Sequence, residues 1–281
     1  MDLDLDHLRQ WIGRTETLAD IASAAPLQAL AATLDREDVA VRPGDELPPG
    51  AHWLYFLPLH RQSDLGPDGH ARRGGFLPPV PLPRRMWAGS RLEFLRPLHV
   101  GAALSRRSTI ADVSLKHGRS GPLVFVRVRH EVADAQGTAL VDEHDIVYRA
   151  PAAPGEAAPP PTPAPQAEWT REIRPDPVLL FRYSALTFNG HRIHYDHPYV
   201  TAVEGYPGLV VHGPLMATLL LDLLQRQRPQ ARLARFAFRA LKPVFDTHPF
   251  SVCGRDGAGG VHLWVRDHEG HVAMDATATL A

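Results

Sequence analysis

Residues 181–214 carry the densest group of side chains that could do chemistry. The segment reads FRYSALTFNGHRIHYDHPYVTAVEGYPGLVVHGP, with a histidine at every third position from 191 to 197 and another at 212. Evenly spaced histidines suggest a metal site, but Gly190 before the run and Pro198 after it interrupt any continuous helix, so the three rings need not converge. The only cysteine of the chain is the distant Cys253. We therefore predict no metal site in this segment.

Two other kinds of chemistry lack their sequence motifs. No Gly-x-Ser-x-Gly turn is present to expose a nucleophilic serine, and Ser184 stands before Ala185 and Leu186, which we interpret as a strand. A Walker A loop and a Gly-x-Gly-x-x-Gly fingerprint are also missing. Covalent catalysis by a serine and phosphate binding by a glycine-rich loop are therefore not expected.

General acid/base chemistry fits the segment better. A histidine titrates near neutral pH, and a neighbouring amide or carboxylate can orient it or a water molecule. Gly213-Pro214 adds a second element, because a proline at the first helical position predicts a helix N-terminus there. Backbone N–H groups at such a terminus are free and lie at the positive end of the helix dipole. A histidine base beside an oxyanion-binding helix end predicts enolate chemistry next to a carbonyl.

Two helices are predicted, one ahead of the strands of each half of the chain. The clearer one begins at Pro214 with the run PLMATLLLDLLQRQ. It is apolar around most of its circumference up to Leu224, so we expect other structure to enclose it. The other helix is predicted from Thr15 through TETLADIASAAPLQALAATLD, with a break or turn at Pro26.

The strand-forming parts of the two halves resemble each other. The run LRPL at residues 95–98 recurs as LKPV at 241–244, and each half contains two alternating segments around a glycine turn, at 134–137 and at 267–270. Alternation of apolar and polar residues predicts a β-hairpin at each turn. One helix and one curved antiparallel meander, occurring twice, predict an α+β fold in which each sheet encloses a helix.

Residues 150–167 mark the predicted boundary between the halves. They read APAAPGEAAPPPTPAPQA, with seven prolines, and such a stretch favours extended backbone and cannot build a core. We therefore predict an N-terminal domain at 1–149, a linker at 150–167 and a C-terminal domain at 168–281.

Composition limits the partners and the location of the protein. The chain has 30 Lys and Arg against 31 Asp and Glu, and this balance argues against a nucleic-acid or membrane-surface partner. A single cysteine excludes a disulfide framework. The N-terminus MDLDLDHLRQWIG is acidic and lacks the pattern of a signal peptide. We expect a cytoplasmic protein without a membrane-spanning segment.

The segment around the histidines resembles the MaoC-like hydratase 2 superfamily. That superfamily carries Asp-x-Asn-Pro-x-His-x-Asp/Glu, followed further on by Val-His-Gly-x-Leu, and here NGHRIHYD at 189–196 and VHGPL at 211–215 stand in these places. TFNGHRIHYD, together with GGFLPPVPLPRRMWAGSRLEFLRPLHVG at 74–101, looks closer to one branch of it, the hydroxyacyl-thioester dehydratases type 2 and the itaconyl-CoA and mesaconyl-C4-CoA hydratases. The resemblance implies a double hot-dog fold, each half a curved antiparallel sheet wrapped around a central helix.

The same resemblance implies roles for three residues. His194 takes the place of the catalytic histidine, and Gly213 that of the amide that holds the thioester carbonyl. Asn189 stands where the wider family has an aspartate, while His191 and Arg192 replace its Asn-Pro. Because asparagine cannot take up a proton, the family's division of labour between histidine and aspartate is in doubt. Our hypothesis is that His194 is the base for water or for the Cα–H bond and that Asn189 positions the water.

Seven further residues are predicted to bind the substrate. An acyl group that ends in a carboxylate needs a planar bidentate partner such as arginine, although most arginines in a chain of this size are solvated and others would meet the phosphates of CoA. For the tyrosine and the two histidines of the set, packing is the alternative role. The predicted residues are Arg84, Arg85, Arg182, Tyr183, His191, Arg192 and His212.

We therefore predict a hydro-lyase that adds water to, or removes it from, the C2–C3 bond of an enoyl-CoA thioester. The expected substrate is a short branched dicarboxylic one, of the itaconyl-CoA or mesaconyl-C4-CoA type. A fatty-acid-type 3-hydroxyacyl-thioester dehydratase, a hot-dog acyl-CoA thioesterase and a non-catalytic acyl-CoA-binding module are the alternatives. No cofactor is expected, since CoA is part of the substrate, and a homodimer is anticipated. The first half lacks the histidine motif, so we expect it to be catalytically silent and to shape the acyl pocket.

Overall fold

The computed structural model describes residues 3–37, 40–118, 121–150 and 160–281. Within these ranges the strands are β1 (Thr15–Ile21), β2 (Arg84–Phe94), β3 (Ala103–Gly118), β4 (Gly121–Asp134), β5 (Gly137–Arg149), β6 (Trp169–Ile173), β7 (Leu233–Ala240), β8 (Phe250–Gly257), β9 (Gly260–Arg266) and β10 (Val272–Leu280). The α-helices are α1 (Leu5–Arg9), α2 (Ala24–Thr33), α3 (Pro177–Leu186), α4 (His197–Ala202) and α5 (Gly213–Gln227). Short 3₁₀ helices lie at Ala51–Leu54, Gln62–Asp64 and Arg192–His194.

The ten strands form one antiparallel sheet with the order β1-β3-β4-β5-β2-β7-β10-β9-β8-β6. Both halves repeat the same order outward from the centre, because β2, β5, β4, β3 and β1 correspond in turn to β7, β10, β9, β8 and β6. The halves join where β2 pairs with β7, with Ser90 opposite Phe238 and Leu92 opposite Phe236. A single chain therefore forms by itself two equivalent half-sheets that are continuous with each other.

The repeated Leu-x-Pro segments occupy equivalent places in the two halves. Arg96, just after β2, donates to Asp134 at 2.8 Å in the turn between β4 and β5. Lys242, just after β7, pairs in the same way with Asp267, in the turn between β9 and β10. In each half one cation thus fixes the hairpin turn against the preceding strand. The two predicted hairpins are confirmed.

Helix α5 fills the C-terminal half as predicted. It begins with Gly213 and Pro214, packs against β8 and β9, and buries side chains on most of its circumference. Its one buried charge, Asp222, accepts hydrogen bonds from Arg171 and Arg226, each at 2.7 Å. Paired in this way, the carboxylate can lie in the interior without the cost of an isolated buried charge.

The helix predicted from Thr15 is wrong in its first part. Residues Thr15–Ile21 form strand β1, which pairs with β3 and alternates between exposed and half-buried side chains. The larger apolar residues Leu18 and Ile21 lie three positions apart, as in a helix, and Ile21 is exposed, so the local pattern did not reveal the strand. The sheet edge offered by β3 completes its hydrogen bonds. The helix begins only at Ala24, so Pro26 lies in its first turn, where a missing N–H costs nothing.

The sheet of the first half packs against shorter elements than α5. Helix α2 has 10 residues, of which only Leu27 and Thr33 are buried. Part of the inner face is covered instead by the loop around Val80 and Leu82, which packs with the buried ring of Tyr148 on β5. This half therefore leaves room for polar side chains on the inner face of its strands.

Most of the predicted linker lies outside the described residues, which omit 151–159. Of the remainder, Thr162 accepts a hydrogen bond from the N–H of Val272 at 2.8 Å, and Pro163 bridges to His271. The chain thus already contacts the second half a few residues before β6. The domain limits at 149 and 168 stay a prediction.

Candidate active site

The histidine-rich segment connects α3 to α5. After α3 the N–H of Asn189 donates to the carbonyl of Ser184 at 2.8 Å. The side-chain Oδ1 of Asn189 then accepts the N–H of His191 at 3.0 Å, which closes an Asx turn. This turn directs the chain into the 3₁₀ helix that carries His194.

His194 is buried, and a backbone group sets its tautomer. Its Nδ1 lies 2.6 Å from the carbonyl oxygen of Val210, so Nδ1 carries the proton and Nε2 keeps its lone pair. Burial lowers the pKa of His194 to about 4, although the hydrogen bond to Val210 favours the protonated form. At pH 7 the ring is therefore neutral and has one basic nitrogen, which is the form that a general base needs.

His194 belongs to a row of four histidine rings, which we call the histidine row: His70, His191, His194 and His212. Neighbouring ring centroids are 4.0 Å apart for the first pair, 5.4 Å for the second and 3.7 Å for the third, which is stacked. Burial lowers the pKa of all four, to about 2 for His191. The row is therefore uncharged at pH 7 and can accept a proton during a reaction.

His212 connects the histidine row to the start of α5. It is fully buried and is the N-cap residue, and Gly213 is the first helical residue. Within the described ranges the N–H of Gly213 has no acceptor. A Cβ placed on Gly213 would lie 3.8 Å from the carbonyl oxygen of Trp87, so the start of α5 lies close to β2. A free N–H at a helix N-terminus can bind a carbonyl oxygen that gains negative charge.

Ser184 lies on a helix, so the interpretation of its surroundings as a strand is wrong. Helix α3 has a complete start signal, since Asp176 accepts the N–H of Leu179 at 2.8 Å and Pro177 occupies the first turn. Such a cap fixes a helix even where the following apolar residues would also suit a strand.

Tyr183 and His212, both predicted to bind the substrate, have polar partners within the protein. Tyr183 is buried, and its hydroxyl is 3.3 Å from Oγ1 of Thr218. Nε2 of His212 is 2.8 Å from Oγ of Ser184. Because the ring of His212 stacks on His194, these two residues support the plane of the candidate base.

Arg192 holds the two halves of the chain together. Its Nε donates to Asp196 at 2.9 Å, its Nη1 donates to the carbonyl of Pro67 at 3.0 Å, and the guanidinium lies 4.0 Å from the ring centroid of Tyr199. Asp196 in turn caps α4. These donors are engaged within the protein, and the predicted contact of Arg192 with the substrate stays a prediction.

The remaining predicted arginines differ in their surroundings. Arg84 forms an ion pair with Glu204 at 3.3 Å and lies over the ring of Tyr206. Arg182 is exposed on α3, and no described residue is a polar partner for it. Arg84 is therefore paired within the protein, and Arg182 is exposed on the surface of α3.

Arg85 is the predicted arginine best placed for a ligand. It is half-buried, and within the described part of the chain no carboxylate lies at ion-pair distance from it. Burial is the main cause of the lowered pKa values of His70 and His191, and the positive charge of Arg85 lowers them further. Arg85 therefore lies near the histidine row. Opposite it on β5 stands Tyr148; burial raises the pKa of its hydroxyl, and the contact with the Arg85 guanidinium opposes that shift.

The sequence analysis did not find Asp68 and His70, which the first half brings to the site. Nδ1 of His70 is 3.0 Å from Oδ2 of Asp68, and its ring contacts His191. Potential ligand atoms of Asp68, His70 and His191 lie within 4.8 Å of one another, close enough for one divalent cation. His197, from the evenly spaced run, is exposed at the start of α4. No local pattern links positions 68–70 to position 191, so only the fold could reveal this group.

A second buried polar cluster borders the site from the first half. Oδ2 of Asp142 on β5 lies 2.7 Å from Nε2 of His144 and 3.0 Å from Nε2 of His52. The ring of Trp87 lies 4.1 Å from that of His144, and its carbonyl borders Gly213. This wall of the site is therefore aromatic and rigidly hydrogen-bonded.

Comparison with known proteins finds one family model over most of the chain. The model of hydroxyacyl-thioester dehydratase type 2 matches residues 50–246, which include the histidine row, Asn189 and Gly213. The chain is also 47% identical over 272 residues to a mesaconyl-C(4)-CoA hydratase from Chloroflexus aurantiacus, and the match covers 96% of each protein.

Two solved structures from Mycobacterium tuberculosis share the fold. HtdX superposes with a TM-score of 0.67 at 21% identity, covering 95% of this chain and 100% of that one. A second protein, described as having a double hotdog fold, superposes with a TM-score of 0.59 at 16% identity and covers 96% of each chain. The predicted α+β double hot-dog fold is confirmed. Among the described helices, none combines the length and the apolar composition that crossing a membrane requires.

Proposed function

The chain belongs to the hydroxyacyl-thioester dehydratase type 2 family and is a hydro-lyase, and from this premise we propose that it hydrates an enoyl-CoA or dehydrates the matching 3-hydroxyacyl-CoA. The observation that carries the proposal is the pairing of two groups: a neutral His194 with a free Nε2, and the unpaired Gly213 N–H at the start of α5. His212, stacked on His194 and directly before Gly213, joins them.

Gly213 supplies the electrostatic part of the mechanism. In the proposed complex its N–H donates to the thioester oxygen, at the positive end of the α5 dipole. Negative charge develops on this oxygen when Cα loses a proton or when water attacks Cβ. A donor already fixed in place stabilises the enolate without reorganisation, which is why this position matters more than a mobile side chain would.

His194 supplies a base, and Asn189 assists without taking up a proton. Nε2 of His194 accepts a proton from the substrate or from water, and the Val210 carbonyl stabilises the imidazolium through Nδ1–H. Oδ1 of Asn189 is occupied by the N–H of His191. Its NH₂ group remains as a donor that can position the water oxygen.

We propose a dicarboxylic acyl group as the substrate class. Support comes from the 47% identity to a mesaconyl-C(4)-CoA hydratase and from Arg85 and Tyr148, which are neighbours across β2 and β5 beside the histidine row and have no carboxylate partner among the described residues. A guanidinium and a phenol hydroxyl can bind the two oxygens of a carboxylate. The proposed steps use only groups of this chain and of the thioester, so no separate cofactor is needed. A cytoplasmic homodimer stays a prediction.

The test is a panel of CoA thioesters incubated with the purified protein. We expect loss of the enoyl absorbance with mesaconyl-C4-CoA and slower loss with itaconyl-CoA and crotonyl-CoA. Preference for a long-chain enoyl-CoA would instead identify a fatty-acid-type dehydratase. Release of free thiol from a saturated acyl-CoA would identify a thioesterase, and no reaction with any thioester would overturn the proposal.

A further inference from the structure

A loop of the first half reaches across to the catalytic segment. Residues 64–72 form this loop, which is closed by a bridge between Leu65 and Ala71 and by the N–H of Gly66 donating to the carbonyl of His70 at 2.7 Å. Its tip carries Asp68 and His70. The loop belongs to the half that lacks the histidine motif, so its position beside that motif is a product of the tertiary fold.

The docking of this loop is tight and specific. The N–H of Arg192 donates to the carbonyl of Asp68 at 2.9 Å, and its side chain donates to the carbonyl of Pro67 at 3.0 Å. Gly69 has φ +88°, and a Cβ there would lie 1.8 Å from the carbonyl oxygen of Gly190. Backbone of the loop thus packs directly on backbone of the catalytic segment, and only glycine fits at the contact.

Within the loop, Asp68 orients His70 in the way that a carboxylate orients a catalytic histidine. Oδ2 of Asp68 is 3.0 Å from Nδ1 of His70, and Oδ1 accepts the backbone N–H of His70 at 3.1 Å. Although burial opposes ionisation, the two hydrogen bonds from His70 lower the pKa of Asp68 below its usual range. The carboxylate is therefore ionised and holds the proton on Nδ1, which leaves Nε2 of His70 as a base.

The order of the rings places this second base further from the thioester carbonyl than His194. Starting from Gly213, the row runs through His212, His194 and His191 to His70. A substrate whose carbonyl oxygen binds Gly213 has Cα next in the chain and Cβ beyond it. His194 then corresponds to Cα, and His70 corresponds to the water or hydroxyl at Cβ.

We propose that Asp68 and His70 form the second acid/base pair of the site and perform the proton transfer for which Asn189 has no acidic group. This proposal rests on the hydro-lyase function proposed above. In hydration, Nε2 of His70 takes one proton from water as its oxygen bonds to Cβ, and the C2–C3 π electrons move into the enolate held by Gly213.

The remaining half of the reaction returns that proton to the substrate. It passes from His70 through His191, whose ring lies between the two bases, to His194 and then to Cα as the enolate collapses to the thioester. One O–H bond and the C2–C3 π bond are broken, and one C–O and one C–H bond are formed. The three rings that relay the proton are neutral before and after the reaction, in agreement with the uncharged histidine row.

Two reactions, hydration and Cα–H exchange, distinguish the role of His70 from that of His194. A saturated acyl-CoA has no hydroxyl, so exchange of its Cα–H in D₂O needs only His194 and Gly213. We expect His70→Gln and Asp68→Asn to lower the hydration kcat on the order of 100-fold, the usual scale for losing a general base, while Cα exchange stays near the wild-type rate. His194→Ala should lose both reactions. His262, which forms a similar pair with Asp275 at 2.7 Å, supplies the control variant His262→Gln, and it should keep both.

Each outcome decides the proposal. If wild-type protein hydrates no thioester, the proposed function fails first. If wild-type is active and both His70→Gln and Asp68→Asn hydrate normally, the second base is refuted while the function stands. Parallel loss of hydration and exchange would give the loop a positioning role and overturn the proposal. So would loss of wild-type hydration on EDTA treatment with recovery on adding zinc, since Asp68, His70 and His191 would then be metal ligands.

Discussion

Nδ1 of His194 and the carbonyl oxygen of Val210 lie 2.6 Å apart, and this contact decides which nitrogen of the ring is basic. Val210 stands three residues before Gly213, so the group that sets the tautomer and the group that binds the carbonyl belong to one short segment. The base and the oxyanion donor are therefore held at a fixed separation by the entry into α5.

Replacing the base should abolish turnover without unfolding the protein. His194→Ala is expected to lower kcat by roughly 100- to 10,000-fold, the range for removal of a general acid or base. His197→Ala, in the same segment but exposed, is the matched control and should retain activity. Steady-state hydration assays measure the kcat of both variants. Full activity in His194→Ala would contradict the assignment of His194 as the base.

The buried neutral histidines should make the protein sensitive to acid. The pKa values of His191 and His194 are lowered in the fold, to about 2 and about 4, so below about pH 6.5 the unfolded chain binds protons that the folded chain does not. The free energy of unfolding should therefore fall as the pH drops, by up to roughly 1.4 kcal/mol per pH unit for each such ring.

Denaturant unfolding between pH 7.5 and 5 measures this slope. The variant His194→Ala removes one of the rings, and its slope should be shallower by about one proton. A stability that is constant over this interval would contradict neutral, buried rings in the folded state.

Arg85 should control preference among substrates. Arg85→Gln removes the proposed carboxylate partner, so kcat/KM for mesaconyl-C4-CoA should fall on the order of 10- to 100-fold, as expected for lost hydrogen bonds to a charged group. Crotonyl-CoA has no free carboxylate, and its kcat/KM should change little. Arg182→Gln, on the exposed face of α3, is the control. Equal losses for both thioesters in Arg85→Gln would assign Arg85 to CoA or to folding instead.

Two glycines with the same backbone conformation test the docking of the 64–72 loop. Gly69 and Gly74 have φ +88° and +89°, and a Cβ at Gly74 would meet only Pro79 at 3.7 Å, an ordinary contact. Gly74→Ala should therefore cost about 1–2 kcal/mol from backbone strain alone. Gly69→Ala should cost more, because its Cβ would overlap the carbonyl of Gly190. Denaturant unfolding compares the two, and equal costs would show that the loop moves away freely.

Local sequence patterns predicted much of the fold. Both hairpins and helix α5 are confirmed, because each depends on residues close together in the chain. The family resemblance and the double hot-dog fold that it implied are also confirmed. The prediction failed where a local pattern suited two structures. Thr15–Ile21 became a strand because β3 offered it an edge, and Ser184 became helical because Asp176 caps α3.

The sequence alone determined which residues could supply a base and an oxyanion donor, because His194, Asn189 and Gly213 lie in two short motifs before one helix. Only the tertiary structure decided which groups surround them. It engaged Arg192 in holding the halves together, left Arg85 without a carboxylate partner among the described residues, and brought Asp68 and His70 to His191. These contacts join residues more than a hundred positions apart, and no local pattern encodes such pairs. They arise because two equivalent half-sheets pair through β2 and β7 and bring the loop of one half onto the motif of the other.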